Sequence, residues 1–326
     1  MIGGRAFDTV VVALRSSRGL AAKADIGLVA QKLGLSSASA VPVGDDCAAI
    51  PDGDEFLLLA IEGFMNEFVA GDPWFAGWCG VMVNLSDVAA MGGRPIAVVD
   101  ALWSAGETEA APVLSGLSAA STAFGVPIVG GHSNLKTDRG QLSVAVLGRA
   151  KRLLTSFDAR PGQMLVAAID LRGRYREPFA NWEAATDAPA GRLRGDLELL
   201  PTIAERGLAA AGKDISQGGL VGTAAMLAEC SGVGIDIDLA AVPAPEGVDA
   251  ARWLLTFPSY GYILAVEPGH VPETTACFAA RGIAAAAVGT IRPGTQVRVG
   301  LEGRHETIWD FARTPLIGCA SRDAAA

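Results

Sequence analysis

Positive charge is in deficit along this chain. Its 26 Lys and Arg residues face 35 Asp and Glu, a formal net charge of −9. A nucleic-acid partner is therefore not expected, because phosphate backbones demand a basic face. A nucleotide stays open, since metal ions can bridge two anionic partners. Cysteine is scarce too: five in 326 residues, scattered, with no Cys-x-x-Cys pair. That argues against a zinc site or a disulfide framework and fits a reducing cytoplasm. No apolar run reaches the ~18–20 residues of a membrane span, so no membrane partner is expected. The stretch from Met1 to Leu14 lacks a basic leader and a small-residue cleavage site, so it does not read as a signal peptide. Gly-x-Gly-x-x-Gly after a strand and the Walker motif are missing, which disfavours Rossmann and P-loop binding. So are Gly-x-Ser-x-Gly and His-Glu-x-x-His. No repeat period of 20–50 residues is evident.

What is present is apolar. Half the residues are hydrophobic and 19% are charged, enough for a large core. The length suggests two domains, with a boundary near 150–158 where Asp158-Ala159-Arg160-Pro161-Gly162 restarts the chain. Helices are predicted over 7–15, 24–33 (stopped by Gly34), 74–91 (stopped by Gly92-Gly93), 107–124, 196–211, 220–231 and 272–281. Strands are predicted over 56–61, 96–102, 126–129, 141–147, 164–169, 234–239, 260–266, 283–291 and 296–299. The stretch 36–40 reads as a small polar linker. Residues 171–195 read as a long irregular loop, of a length that is usually functional or disordered. Alternating strands and helices with some short strand-to-strand connections favour an α+β or mixed-sheet domain.

Four segments at the edges of apolar stretches carry the chemistry. Asp45 and Asp46 follow Gly44. A divalent cation would relieve their mutual repulsion, and an Asx turn with solvated side chains also fits. Cys47 beside them reads as a small buried residue. Asn84 and Asp87, spaced i and i+3, share one face of a helix that is apolar nearly all round. They either meet a partner or face water. Gly130-Gly131 lets backbone approach a phosphate. His132 then bonds phosphate, binds metal, or is an ordinary hydrogen-bonded residue. In Asp214-Ile215-Ser216-Gln217-Gly218-Gly219 the amides of a helix start favour an anion, unless Ser216 is only an N-cap. Buried carboxylates need compensation, and magnesium around a nucleotide's phosphates is the natural shared centre.

In this order, the segments resemble the AIR-synthase-related superfamily. It includes aminoimidazole ribonucleotide synthetase, thiamine-monophosphate kinase, selenophosphate synthetase and a hydrogenase maturation factor. Gly44 to Ala49 and Asn84 to Gly92 are close to the thiamine-monophosphate kinase motifs. Gly130-Gly131-His132-Ser133 looks like selenophosphate synthetase, and Asp214 to Leu220 is similar to the shared second-domain motif. Asn181 to Thr186, Lys213 to Ser216, Val248-Asp249 and Trp253 resemble an AIR-synthase-like, methanogenesis marker protein 2-like branch.

The resemblance implies an α+β, two-domain fold. Its N-terminal domain, 1–152, would have a mixed sheet with helices on one face, bind ATP and magnesium, and dimerise. Residues 153–326 would form a C-terminal α/β sandwich. By position, Asp45, Asp46, Glu62, Asp87 and Asp214 would hold magnesium, with Asp46, Asp87 and Asp214 catalytic. Gly44, Asn84, Gly130, Gly131, His132, Ser216 and Gly218 would contact ATP or its phosphates, and Asn84 would also support Asp87. The chain departs from the thiamine-monophosphate kinase pattern at Glu62, His132 and Gln217, where that family has aspartates. The N-terminal cysteine loop of selenophosphate synthetase is absent. So is the cysteine tail of the hydrogenase factor, because Cys319 is followed by Ala320-Ser321-Arg322-Asp323. The expectation is a cytoplasmic homodimer: an ATP- and magnesium-dependent enzyme phosphorylating or activating an unidentified small molecule. Thiamine-monophosphate kinase and a non-catalytic ATP-binding sensor or scaffold are the rival readings.

Overall fold

A computed structural model describes residues 4–35 and 41–318. The linker expected over 36–40 and the cysteine at 319 lie outside the described residues. The chain forms two compact units, both discontinuous in sequence. The smaller holds residues 46–153 and 186–202; the larger holds 1–45, 154–185 and 203–326.

The smaller unit is a five-stranded mixed sheet. Strands β1 (Ala48–Asp52), β2 (Glu55–Phe64), β3 (Arg94–Trp103), β4 (Ile128–Asn134) and β5 (Gln141–Ala150) lie in the order β1-β2-β5-β3-β4. Only β3 and β4 pair in parallel; the other neighbours are antiparallel. Leu58, Val98, Leu102, Val144 and Val146 are buried on one face. In the chain order of helices, α1 (Gly4–Arg15), α2 (Arg18–Ala21) and α3 (Ala24–Leu33) belong to the larger unit. Helices α4 (Asn66–Gly71), α5 (Pro73–Ala90) and α6 (Glu107–Phe124) belong to the smaller. Asp72 starts α5 by accepting the Phe75 N–H at 3.2 Å, and Pro73 occupies its first turn. Because α5 packs between the sheet and α6, it is apolar on nearly every side.

The larger unit holds a seven-stranded mixed sheet. Its strands are β6 (Met164–Ile169), β9 (Ala211–Asp214), β10 (Gly234–Asp238), β12 (Gly261–Val266), β13 (Ala284–Arg292), β14 (Gln296–Leu301) and β15 (Arg304–Asp310). Their order is β15-β14-β10-β13-β6-β12-β9. Leu165, Ala167, Ile263, Ile235 and Val297 join one core with α9 (Gly219–Ser231) and with Phe7, Val10 and Val11 of α1. A three-stranded sheet adds β7 (Arg174–Tyr175), β8 (Asn181–Glu183) and β11 (Phe257–Pro258). Helices α10 (Ala250–Leu254) and α11 (Val271–Ala279) complete the unit.

Two expectations fail here. Residues 171–195 are not one irregular loop: they supply β7, β8 and most of α7 (Ala190–Leu197). Arg194 holds α7 to the smaller unit, its Nε and Nη2 donating to the Ala123 and Thr122 carbonyls at 3.1 and 2.7 Å. The helix expected over 196–211 is instead α7 and α8 (Leu199–Arg206), and Ala211 already belongs to β9. Pro201 cannot donate, so α8 must begin just before it. Gly207, at φ 68°, ends it.

Candidate functional site

Asp46 belongs to the turn that leads into β1. The next backbone N–H, that of Cys47, meets the Met91 sulfur at 3.0 Å. Met91 caps the C-terminal end of α5, and its own N–H bonds the Asp87 carbonyl. This contact brings the turn against the last turns of α5. As a result, carboxylate oxygens of Asp46 and Asp87 lie within 4.8 Å of each other, with Asp87 6% exposed.

Asn84 shares the helix face of Asp87 and is fully buried. Its Nδ2 donates to the Gly80 carbonyl at 2.8 Å. That donor fixes the amide's orientation, since the carbonyl can only accept. Asn84 Oδ1 is left buried with no hydrogen-bond partner among the described residues. The two carboxylates offer only oxygen donors, and the spare amide oxygen of Asn84 lies one helical turn before Asp87. Hard cations such as magnesium suit such donors; zinc, with its taste for nitrogen and sulfur, does not. The residues present fit the metal that the resemblance implied.

Asp45, expected beside Asp46 on the metal, is engaged elsewhere. Its two carboxylate oxygens accept from the Ser156 N–H and hydroxyl at 2.9 and 2.7 Å. Glu62 lies inside β2 rather than at its end, opposite Val144 and exposed. Gly130 and Gly131 sit within edge strand β4, not in a loop after it. His132 pairs in register with Ala101, on the face that α5 does not cover, its ring 5.8 Å from that of Trp103.

The larger unit carries the remaining candidates. Asp214 ends β9 and is 5% exposed. Ser216 is not the N-cap of α9: Gly218 stands there, and no side chain caps that helix. The Ser216 hydroxyl oxygen is buried without a hydrogen-bond partner among the described residues. Gly219 follows at φ 65°, and a Cβ on it would come 2.1 Å from the Leu254 carbonyl, so no larger residue fits. The loop is thereby pressed against α10.

Sequence reasoning missed Asp100. It lies on β3 among the core-facing positions of Val98 and Leu102, and burial pushes its carboxyl above the ordinary range against the pull of its own backbone N–H. A Cβ on Gly131 would meet its Oδ1 at 2.7 Å. A polar residue at a core-facing step of a strand was the available signal.

Two family models match: the AIR synthase related protein N-terminal domain over residues 44–150, and its C-terminal domain over 180–302. An uncharacterized protein of Synechocystis is 46% identical over 95% of this chain and 97% of its own length. A thiamine-monophosphate kinase of Halobacterium salinarum is 30% identical over 63% of this chain and 71% of its length. Among solved structures, Thermotoga maritima PurL complexed with ADP superposes with a TM-score of 0.71 at 19% identity, over 85% of this chain. The match spans 46% of that PurL chain. A ThiL complexed with AMPPCP and TMP gives 0.64 at 22% identity, over 86% of this chain and 95% of its own. At these identities the two structures show the fold.

Proposed function

The chain belongs to the AIR synthase related family, and from that premise we propose that it uses ATP and magnesium to phosphorylate or activate a small molecule. The observation that carries this reading is the close Asp46–Asp87 pair, with Asn84 one turn before Asp87 on the same helix. Two adjacent carboxylates, one buried and one half-buried, are costly unless a cation compensates them. Asp46 and Asp87 hold the cation in this proposal. A bound magnesium supplies charge neutralisation for a triphosphate tail. The chain's own part is positioning. Asn84 would present an oxygen, which can accept but not donate, on the helix face of Asp87. The Ser216 hydroxyl is free to donate to an anion. The bound nucleotides and the TMP named in the PurL and ThiL complexes support an ATP-using site.

A homodimer is part of the same reading. Leu59, Ile61, Val99 and Leu147 lie exposed on the uncovered face of the five-stranded sheet, and such a patch marks an interface. The scattered free cysteines support a cytoplasmic setting.

Calorimetry with AMPPCP, with and without magnesium, tests the proposal. Magnesium-dependent uptake is expected, weakened at least about tenfold in Asp87→Asn, since a charge-assisted ligand is lost. Absence of magnesium-dependent uptake by the unaltered protein refutes it.

The kinship with the Halobacterium enzyme favours thiamine monophosphate as the acceptor. Incubation with ATP and thiamine monophosphate, followed by chromatography for the diphosphate, decides that point. Glu62, His132 and Gln217 support the sensor reading instead, which predicts AMPPCP binding with no phosphate released from ATP across a substrate panel.

A further inference from the structure

Several groups of the larger unit close on one short turn. Lys213 of β9 is 3% exposed, and its Nζ lies 3.5 Å from the Gly44 carbonyl oxygen, a long charge–dipole contact. Cys230 Sγ approaches the same oxygen from α9 at 3.7 Å. Asp45, the next residue, accepts both hydrogen bonds from Ser156. The Ser156 carbonyl in turn accepts from Ser231 Oγ at 2.7 Å, and that hydroxyl accepts from the Ala159 N–H at 3.1 Å. Gly44 itself sits at φ 126°, a conformation that favours glycine.

A buried ammonium is costly unless carbonyl or carboxylate oxygens surround it. Lys213 is therefore held by its surroundings, and what it touches is the turn that precedes Asp46. On the other side of Asp46, the Cys47 N–H is fixed on the Met91 sulfur. Asp46 is thus bracketed: the peptide after it is tied to Met91, and before it the Gly44 carbonyl and the Asp45 side chain are held, while its own carboxylate lies beside that of Asp87.

We propose that Lys213, together with Ser156, is a latch that positions Asp46 for the cation. Lys213 is a positioning residue here, not a ligand. Register on β9 supports the separation of tasks. Lys213 pairs with Ile263 and Asp214 with Tyr262, so their side chains leave the strand on opposite faces. The inference rests on the magnesium-nucleotide reading above.

The test measures the magnesium concentration that half-saturates AMPPCP uptake, on protein shown folded by circular dichroism. Lys213→Met is expected to raise it about tenfold, the size of one lost charge-assisted contact. Lys213→Arg, which keeps the charge, should stay within about threefold. Ser156→Ala should move it in the same direction by a smaller factor. A purely structural role would lower the melting temperature and leave the magnesium dependence unmoved. A folded Lys213→Met with the unaltered protein's half-saturation overturns the latch. Should that variant fail to fold, an unshifted Ser156→Ala overturns it instead. No magnesium-dependent uptake by the unaltered protein refutes the proposed function, and the latch falls with it.

Discussion

Strand β12 is buried at every position from Gly261 to Val266, whereas β2 alternates along its middle. In β12, Ile263 and Ala265 join the core with α9, while Tyr262 and Leu264 point to the opposite face, where Tyr260 meets Phe278 of α11. In β2, Leu58 is fully buried toward α5, but Ile61 is 70% exposed and Leu59 47%. Both strands are apolar in sequence. A run covered on two faces by its own helices needs nothing more. A run covered on one face presents hydrocarbon that the described residues do not cover, and the proposed dimer rests on that face. The contrast teaches that apolar sequence alone does not say what covers it.

Truncation separates the two cases. Leu264→Ala opens a cavity in the sheet covered on both faces and should cost about 2–5 kcal/mol, read as a fall in the denaturant midpoint. On β2, Ile61→Lys should leave that midpoint nearly unchanged, within about 0.5 kcal/mol, because the side chain is already exposed. It should instead weaken self-association, and light scattering should report a monomer where the unaltered protein reports a dimer. If Ile61→Lys lowers the midpoint as much as Leu264→Ala, the contrast between the sheets is broken. A monomeric unaltered protein removes its functional half.

The same physics explains what the sequence could and could not disclose. Helix α5 was legible because its apolar periodicity runs on until Gly92-Gly93 marks its end in the chain itself. Strands β6 and β12 were legible as uninterrupted apolar runs. Strands β1 and β15 were not, because they lie at sheet edges and show no apolar alternation. Strand β4 was cut short at Val129 because Gly130-Gly131 reads as a turn, yet pairing with β3 carries it on to Asn134. At the site, the motifs singled out Asp46, Asp87 and Asp214, and the structure sets the first two side by side. They did not distinguish Asp45 from Asp46, since the partner that decides it, Ser156, lies 111 residues away. Asn84 was assigned to phosphate, and only its bond to Gly80 reveals that an oxygen is what it offers.

The smallest effect sharpens the comparison at the other end of the seven-stranded sheet. There the face opposite Ile235 and Ile237 carries charge where the small sheet carries Ile61. Asp236 of β10 accepts from Arg292 Nε at 2.7 Å and Arg298 Nε at 2.6 Å. Burial alone would raise its carboxyl, but the bonds from Arg298 and Arg292 outweigh that and hold it below the ordinary range. A carboxyl depressed by folding contributes stability above its unfolded pKa, near about 4, and loses it as pH falls through the folded value. The group is partly solvated, so Asp236→Asn should cost only about 0.2–1 kcal/mol at pH 7. Below the folded pKa the carboxyl is neutral, and the two proteins should converge. Urea midpoints at pH 7 and in acid check the sign. A gap that widens on acidification would mean that Asp236 supports the sheet by something other than its charge.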